Sequence, residues 1–254
     1  MSDPTALFSL KGRVALVTGA SGALGGHFAR VLHAYGARVV LAARRPEACA
    51  ALADELAAAR VAMDVTDPAA VAAALAAAEA ECGAACDVIV NNAGIAVTKP
   101  ALEQTAADWD AVQDVTLRGC FLVAQAAARR LVAAGRPGAI VNIASILGAR
   151  VIGGVAGYAA AKAGLIQLTR QLAVEWARHR IRVNALAPGY VETALNRDFF
   201  ASEAGQAMIR RIPQRRLGTP EDLTGPLLLL ASGAGAHMTG AVVTVDGGHS
   251  INPL

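Results

Sequence analysis

The amino-acid sequence predicts an α/β fold, in which helices cover both faces of a doubly wound, parallel, seven-stranded sheet. Short runs rich in β-branched residues alternate along the chain with alanine-rich stretches, a pattern typical of parallel sheets with helical crossovers. Most of these runs are continuously apolar, as expected of strands buried on both faces. A glycine-rich turn, TGASGALG, follows the first run, where such a fold requires the chain to pass from strand into helix.

The first half of the chain contains four predicted strands, at residues 13–17, 38–42, 60–63 and 87–91. Each is a short apolar run, from RVALV to DVIVN. The helices predicted between them cover residues 27–35, 46–58 and 68–82. The last of these begins with Asp67 and Pro68, a pair that suits the cap and first turn of a helix.

The second half contains the remaining predicted strands, at residues 139–143, 182–186 and 242–245, and long helices at 107–134 and 157–179. Repeated strand–helix–strand units imply right-handed crossovers. The length of 254 residues suits one domain, spanning residues 1–254, and two domains would be crowded. Residues 187–220 are irregular and follow the sixth strand. Because ligands bind at the carboxyl ends of such strands, this segment is predicted to be a lid facing the substrate.

Composition and charge argue against several classes of partner. The net charge is only +3, aromatic residues make up 4% of the chain, and no basic run is interleaved with aromatics. We therefore expect no nucleic-acid binding. Apolar runs are broken well short of a membrane span, and the N-terminus lacks the pattern of a signal peptide. The protein is expected to be cytoplasmic.

The sequence predicts no metal site. Neither the cysteines nor the histidines fall at the spacings of zinc ligands. We expect the cysteines to be buried or incidental free thiols. The residues concerned are Cys49, Cys82, Cys86, Cys120, His27, His33, His179, His237 and His249.

Three polar residues, Ser145, Tyr158 and Lys162, give the strongest chemical signal in the chain. The Tyr-x-x-x-Lys spacing places a phenol and an ammonium group one helical turn apart on the same face. A free tyrosine carries protons poorly at neutral pH because its pKa is near ~10, and a nearby fixed positive charge stabilises the phenolate. The alternative interpretation of this spacing is a surface lysine that happens to follow a core tyrosine by one helical turn. The pattern predicts a general acid and base.

The glycine-rich turn after the first strand predicts a dinucleotide site. Glycines in such a turn let backbone N–H groups approach a pyrophosphate at the start of a helix. After the fourth strand, NNAG forms a second turn of small residues that lets the chain lie against the cofactor. The candidate residues of these two turns are Gly19, Ser21, Gly22, Leu24, Gly25, Asn91, Ala93 and Gly94.

Residues after the second strand indicate which dinucleotide is bound. An acidic residue there would bind the ribose 2′-hydroxyl of NAD, whereas arginine accommodates the 2′-phosphate of NADP. The chain has Arg44 and Arg45 at this point, which favours NADP. The alternatives are that the protein binds NAD, or that the two arginines are simply solvated and contact no cofactor. After the third strand, Asp64 could accept a hydrogen bond from the adenine amino group, with Val65 packing on the ring.

These motifs together resemble the short-chain dehydrogenase/reductase family, in its short single-domain branch with a Rossmann-like fold. The resemblance covers essentially the whole chain. Its parts occur in order: TGASGALG, Asp64, NNAG, Ser145, Tyr158-x-x-x-Lys162, PGYVET and a final VDGG.

The resemblance implies a mechanism and a homodimer or homotetramer. Tyr158 would exchange a proton with the carbonyl or alcohol oxygen, Ser145 would hydrogen-bond that oxygen, and Lys162 would bind the nicotinamide ribose. Hydride would move between the nicotinamide and the substrate carbon. Pro188 and Gly189 would line the nicotinamide pocket, and Val191 and Thr193 would hold its carboxamide. The long helices at 107–134 and 157–179 would pair between subunits.

Two residues depart from the family pattern. Ala23 stands where the short branch usually has glycine, and we interpret it as a tolerated local variant. Thr116 stands where the family usually has an asparagine that helps to place a water linking the lysine to solvent. We predict a slower proton relay without loss of activity, so Thr116→Asn is expected to exceed the activity of the parent.

The sequence thus predicts an oxidoreductase acting on a carbonyl or secondary alcohol with NADP(H). The alternatives are an NAD-dependent sugar or alcohol dehydrogenase of the same family and a catalytically silent relative. The substrate itself is left open between a simple ketone, a 3-oxoacyl thioester and a keto-sugar. Candidate pocket residues are Ile146, Leu147, Arg150, Val151, Ile152, Tyr190 and the segment 195–208, and Arg150 and Arg197 are possible carboxylate anchors or simply solvated.

Overall fold

The computed structural model describes residues 4–193 and 196–252. Seven strands form one sheet, and all their pairings are parallel. The strands are β1 (Val14–Thr18), β2 (Arg38–Ala43), β3 (Ala59–Ala62), β4 (Val88–Asn91), β5 (Gly138–Ile143), β6 (Ile181–Pro188) and β7 (Val242–Val245). Their order across the sheet is β3-β2-β1-β4-β5-β6-β7. The chain therefore reverses its winding between β1 and β4, where ligands bind in doubly wound sheets.

Helices cover both faces of this sheet. They are α1 (Ala23–Ala34), α2 (Ala50–Leu56), α3 (Pro68–Cys82), α4 (Ala106–Gln113), α5 (Gly119–Ala133), α6 (Ala156–Trp176), α7 (Arg197–Ala201), α8 (Glu203–Ile209) and α9 (Thr224–Ala231). One face is packed by residues such as Phe28 of α1 and Leu227 of α9. The other is packed by Leu75 of α3, Leu131 of α5 and Leu172 of α6. The predicted fold class is confirmed.

The predicted strands agree with the structure to within about two residues at each end. The start of α3 follows the predicted chemistry, because the Asp67 side chain accepts a hydrogen bond from the backbone N–H of Ala69 at 2.8 Å. The helix ends at Gly83, whose φ of +64° lies in the left-handed region that glycine tolerates. None of the helices in the described ranges is long and apolar enough to cross a membrane.

The largest departure from the predicted elements lies between α4 and α5. The sequence predicts one helix at 107–134, but the structure has a π turn at Asp114–Arg118. A single inserted π turn keeps the helix continuous and shifts the face that each later side chain presents. Functional sites often contain such turns, and this one carries Thr116.

The predicted lid is partly helical. It contains α7 and α8, which sequence periodicity did not reveal because each is at most seven residues long. Residues 194 and 195 lie outside the described residues, so the predicted pocket residue Leu195 has no structural description here. The function of this segment as a lid stays a prediction.

Candidate active site

A cleft of about 410 Å³ lies at the carboxyl end of the sheet. It joins the ends of β4, β5 and β6 to the first turns of α6. It brings together the three predicted catalytic residues with parts of both predicted cofactor turns. Its lining includes Leu24, Asn92, Gly94, Ser145, Ile146, Leu147, Tyr158, Lys162, Pro188, Gly189, Tyr190, Val191 and Thr193.

Lys162 is a buried cation on the wall of this cleft. Only 4% of the residue is exposed, and its Nζ donates to the carbonyl oxygen of Ile143 at 2.5 Å. The same Nζ lies 5.5 Å from the ring centroid of Tyr158, as expected for residues one turn apart on α6. An ammonium has three protons, and the bond to Ile143 uses one of them. The others are available to further acceptors in the cleft.

Ser145 lies two residues after the end of β5, with an extended backbone. Its Oγ accepts a hydrogen bond from the backbone N–H of Leu147 at 3.1 Å. A hydroxyl has one proton and two acceptor lone pairs. Since the Leu147 bond uses a lone pair, the Ser145 proton is left to be donated to an oxygen in the cleft.

Thr116 lies behind Lys162 and is fully buried. Its Oγ1 accepts a hydrogen bond from Ile95 N at 3.2 Å and donates one to Ile95 O at 3.1 Å. A side chain added at Gly94 would contact both Thr116 Oγ1 and Lys162 Nζ. Thr116 therefore fixes the segment after β4 against the lysine, and Gly94 leaves the space between them open.

The backbone carbonyl of Thr116 already has a protein partner. Cys120 Sγ donates to it at 3.4 Å, across the π turn. Burial raises the pKa of the Cys120 thiol to about 11, against the charge of Lys162, which lowers it. The thiol therefore stays protonated and acts as a weak donor. Because a carbonyl has two lone pairs, one remains for a water.

The glycine-rich turn is shaped by close backbone contacts. Gly19 has a φ of +64°, and a Cβ there would lie 3.0 Å from Ala93 Cα. A Cβ at Gly25 would lie 2.3 Å from the carbonyl oxygen of Gly19. Both positions therefore require glycine.

The start of α1 suits an anionic group. Its cap residue, Gly22, supplies no side-chain hydrogen bond to the free backbone N–H groups of the first turn. Ser21 is exposed beside it, and Leu24 lines the catalytic cleft. Open N–H groups at the positive end of a helix fit a pyrophosphate, so the residues present fit a dinucleotide.

Asn92 is a site residue that the sequence analysis did not single out. Its side-chain amide donates to the carbonyl oxygens of Thr18 at 3.0 Å and Gly19 at 3.2 Å, and the residue lines the cleft. The predicted Asn91 is instead buried, where its amide donates to Cys120 O and to Asn142 Oδ1. Ala93 lies against Gly19, so the two cofactor turns are in contact.

The residues predicted to select the cofactor lie at the ends of β2 and β3. Arg44 and Arg45 are both exposed. The Asp64 carboxylate accepts hydrogen bonds from Thr66 N at 2.9 Å and Thr66 Oγ1 at 2.7 Å. These bonds, with a smaller contribution from the charge of Arg44, hold the pKa of Asp64 below its ordinary value. Val65 is buried beside Gly119.

The segment after β6 forms the remaining wall of the cleft. Pro188, Gly189, Val191 and Thr193 all line it. A Cβ at Gly189 would lie 2.7 Å from Asp246 Cβ. Asn196 holds this wall, because it donates to Val191 O at 2.9 Å and accepts from Thr193 N at 2.8 Å.

The predicted substrate pocket is partly assembled around the same cleft. Ile146, Leu147 and Tyr190 line it, whereas Val151 is 93% exposed and Ile152 is also exposed. Arg197 is exposed and lies 3.4 Å from Glu192, and Arg150 is exposed.

The cysteines and histidines form no metal site within residues 4–193 and 196–252. All four cysteines there are free and buried. The expectation that they would be buried thiols agrees with this placement.

Comparison with known proteins gives one family and close relatives over the full chain. A family profile described as enoyl-(acyl carrier protein) reductase matches residues 19–250. Galactitol 2-dehydrogenase (L-tagatose-forming) of Cereibacter sphaeroides is 41% identical, over 98% of this chain and 99% of its own length. Gluconate 5-dehydrogenase of Gluconobacter oxydans is 39% identical, over 99% of this chain and 100% of its own length.

A solved structure also superposes over nearly all of the chain. It is a gluconate 5-dehydrogenase from Burkholderia cenocepacia in complex with NADP and tartrate. It is 39% identical, with a TM-score of 0.91, and the match covers 96% of this chain and 98% of that one.

Proposed function

The chain belongs to the short-chain dehydrogenase/reductase family of NAD(P)-dependent oxidoreductases, and from that premise we propose that it interconverts a secondary alcohol and a ketone with NADP(H). The observation that carries this proposal is the meeting of Ser145, Tyr158 and Lys162 with the glycine-rich turn at one cleft. When bound, the nicotinamide ring would accept or supply the hydride.

The protein's own residues would handle the proton and orient the substrate. Ser145 donates its free proton to the substrate oxygen, which fixes that oxygen beside the phenol of Tyr158. In the oxidising direction Tyr158 takes the hydroxyl proton, and in the reducing direction it returns one to the carbonyl oxygen. Lys162 stabilises the phenolate with its charge and binds a ribose hydroxyl with a remaining proton.

We propose a polyhydroxylated secondary alcohol as the substrate class. The named relatives act on galactitol and on gluconate, which are respectively a neutral polyol and a sugar acid. The cleft offers both polar groups and apolar walls such as Leu147 and Val191.

The preference for NADP is supported by Arg44 and Arg45, which are exposed where a 2′-phosphate would lie. A titration of NADPH and NADH on the purified protein, read by nicotinamide fluorescence, tests it. We expect tighter binding of NADPH, and we expect Arg44→Gln to weaken NADPH binding by about 1.5–3 kcal/mol, the range for a hydrogen bond to a charged group. NADH binding should be unchanged in that variant.

Equal or tighter binding of NADH by the parent would contradict the NADP preference. It would favour the NAD-dependent alternative, to be assayed in the oxidising direction. A panel of polyols, sugar acids and their ketones, followed at the nicotinamide absorbance, tests the reaction class itself. Absence of turnover with every member would contradict the proposed function.

The protein is also proposed to be a homodimer or homotetramer. Support comes from α5 and α6, where Val132 is 43% and Val174 is 79% exposed on a groove shared by the two helices. Exposed apolar side chains at one groove are typical of a surface that a partner covers. Light scattering coupled to gel filtration should give a mass of two or four chains, and a monomer mass would contradict this.

A further inference from the structure

Three basic residues are connected to the lining of the catalytic cleft, either directly or through the C-terminal turn. We define the basic wall as Arg150, Arg211 and His249. The three residues come from different parts of the chain, the loop after β5, the segment after α8 and the turn after β7. None of them is used by the mechanism above.

Arg150 is held one turn away from the cleft lining. Its backbone N–H donates to the carbonyl oxygen of Ile146 at 2.8 Å, and Ile146 and Leu147 both line the cleft beside Ser145. The guanidinium is exposed. No acidic side chain among the described residues lies within ion-pair distance of it.

His249 is fixed to the same cleft through Tyr190. The two rings are 5.4 Å apart and tilted by 44°, and Tyr190 lines the cleft. The Nδ1 atom of His249 is buried and has no hydrogen-bond partner among the described residues. A buried polar atom without a partner is costly, so an oxygen atom of a ligand or water at this nitrogen would be stabilising.

Arg211 is joined to this turn by the end of the chain. Asn252 donates to the carbonyl oxygen of Arg211 at 2.8 Å. The guanidinium of Arg211 is exposed, and no acidic group in the described ranges pairs with it. The segment carrying Arg211 therefore packs on the turn that carries His249.

The charges of Asp246, Arg150 and Arg211 all affect the pKa of the His249 imidazole. Burial lowers the pKa of His249 from its ordinary value; Asp246 opposes that shift, and the charges of Arg150 and Arg211 add to it. The Asp246 carboxylate already accepts hydrogen bonds from Gly248 N and Ser250 N. With two guanidinium groups and one carboxylate acting on this ring, the basic wall keeps a net positive charge.

We propose that the basic wall binds a carboxylate, so that the substrate is a hydroxy acid and its keto acid rather than a neutral polyol. Two guanidinium groups without acidic partners match a carboxylate in charge and in hydrogen-bond geometry. The acid end lies at the basic wall, and a carbinol carbon further along the same molecule reaches Ser145 and Tyr158. This inference rests on the proposed function, because it names the substrate class of the same cleft.

The experiment compares matched acids and neutral alcohols on the parent and on single variants. The pairs are gluconate with glucitol, galactonate with galactitol, and cis-4-hydroxycyclohexanecarboxylate with its methyl ester. We expect kcat/KM of the parent to be at least about tenfold higher for the acid of a reactive pair. Arg150→Gln and Arg211→Gln should each raise KM for the acid by about tenfold or more and leave kcat and the neutral substrate nearly unchanged.

Arg210→Gln is the matched control. Arg210 is exposed next to Arg211, carries the same charge and is not part of the basic wall. If positive charge acts only in a general way, Arg210→Gln and Arg211→Gln should raise KM for the acid equally. That outcome would overturn the inference. In Arg150→Lys and Arg211→Lys, KM for the acid should lie between the values of the parent and of the glutamine variants, because lysine keeps the charge but lacks the planar guanidinium.

The possible failures are distinguishable. If the parent has the same kcat/KM for the neutral alcohol as for the matched acid, or if the arginine variants affect both substrates alike, the inference is wrong while the proposed function stands. If no alcohol or ketone of either class is turned over, the proposed function is wrong and the inference is withdrawn with it.

Discussion

Tyr158 is the residue on which the proposed chemistry depends most directly. Tyr158→Phe removes the proton donor and keeps the ring over Lys162. General acid–base groups contribute about 10²–10⁴ in rate, so we expect kcat to fall by roughly that factor. NADPH binding by fluorescence should be retained. Tyr35→Phe is the control, because Tyr35 is exposed at the end of α1; similar losses in both variants would contradict the assignment.

Thr116 gives a second prediction at this scale. An asparagine amide can accept from Ile95 N and donate to Ile95 O, as the threonine hydroxyl does. Thr116→Asn should therefore fold and, by completing the relay, raise kcat above that of the parent. Thr116→Val loses both bonds in a fully buried position and should lower the free energy of unfolding by about 1–3 kcal/mol.

Steady-state rates and urea unfolding check the two Thr116 variants together. If kcat of Thr116→Asn is at or below the parent value while its unfolding is unchanged, the residue at position 116 does not limit the proton relay. A stable Thr116→Val would show that the bonds to Ile95 contribute little.

Residue chemistry was easier to predict from sequence than residue orientation. The spacing of Tyr158 and Lys162 follows from helix geometry, and they do lie together. The choice between Asn91 and Asn92 does not follow, because side chains alternate across a strand and β4 is buried on both faces, so its apolar pattern does not show which amide turns toward the cleft. The structure directs Asn91 into the core and Asn92 to the cleft.

The turn between β1 and α1 is the element whose geometry is most restrictive. In Gly25→Ala the new Cβ would lie 2.3 Å from Gly19 O and 2.9 Å from Ala20 Cα, both backbone atoms. The turn must shift, so we expect NADPH binding to be lost and the melting temperature to fall. Gly225→Ala in α9 is the matched control, because nothing lies within 4 Å of its Cβ. That change should be neutral or stabilising by up to ~1 kcal/mol.

Thermal unfolding and NADPH titration of the two glycine variants are the measurements. If Gly25→Ala binds NADPH as the parent does, the close packing of the turn is not required for the cofactor.

Secondary-structure elements were predicted correctly where burial imposes a clear pattern of apolar residues on the sequence. The seven strands were found because strands buried on both faces are continuously apolar. The π turn at Asp114–Arg118 was missed, because apolar spacing reports an average helical period and not one widened turn. The short helices α7 and α8 were missed because fewer than three turns carry too little periodicity to distinguish them.

Asp87 links distant parts of the whole molecule. The residue is 2% exposed and accepts from Arg13 Nε at 2.8 Å, Arg136 Nη2 at 2.8 Å and Val14 N at 2.9 Å. Asp87→Asn should lower the free energy of unfolding by about 1.5–3 kcal/mol. Glu55→Gln breaks the exposed pair with Arg30 and should have a much smaller effect, because solvent screens exposed ion pairs.

Urea unfolding of the two variants measures the difference. Equal costs would mean that the buried carboxylate is no more important to the sheet than a surface ion pair. The sequence did not reveal this interaction, since its partners are 49 and 74 residues away from Asp87.

Thr18, at the end of β1, affects how fast a dinucleotide would be expected to bind. Its hydroxyl accepts from Asn92 N and Ala93 N, both at 3.0 Å, and its carbonyl accepts from the Asn92 amide. The turns after β1 and β4 are thereby joined by the protein's own hydrogen bonds. Binding to a preorganised cradle avoids the entropy of ordering loops. Association should then be limited by diffusion and orientation rather than by a slow rearrangement of the protein.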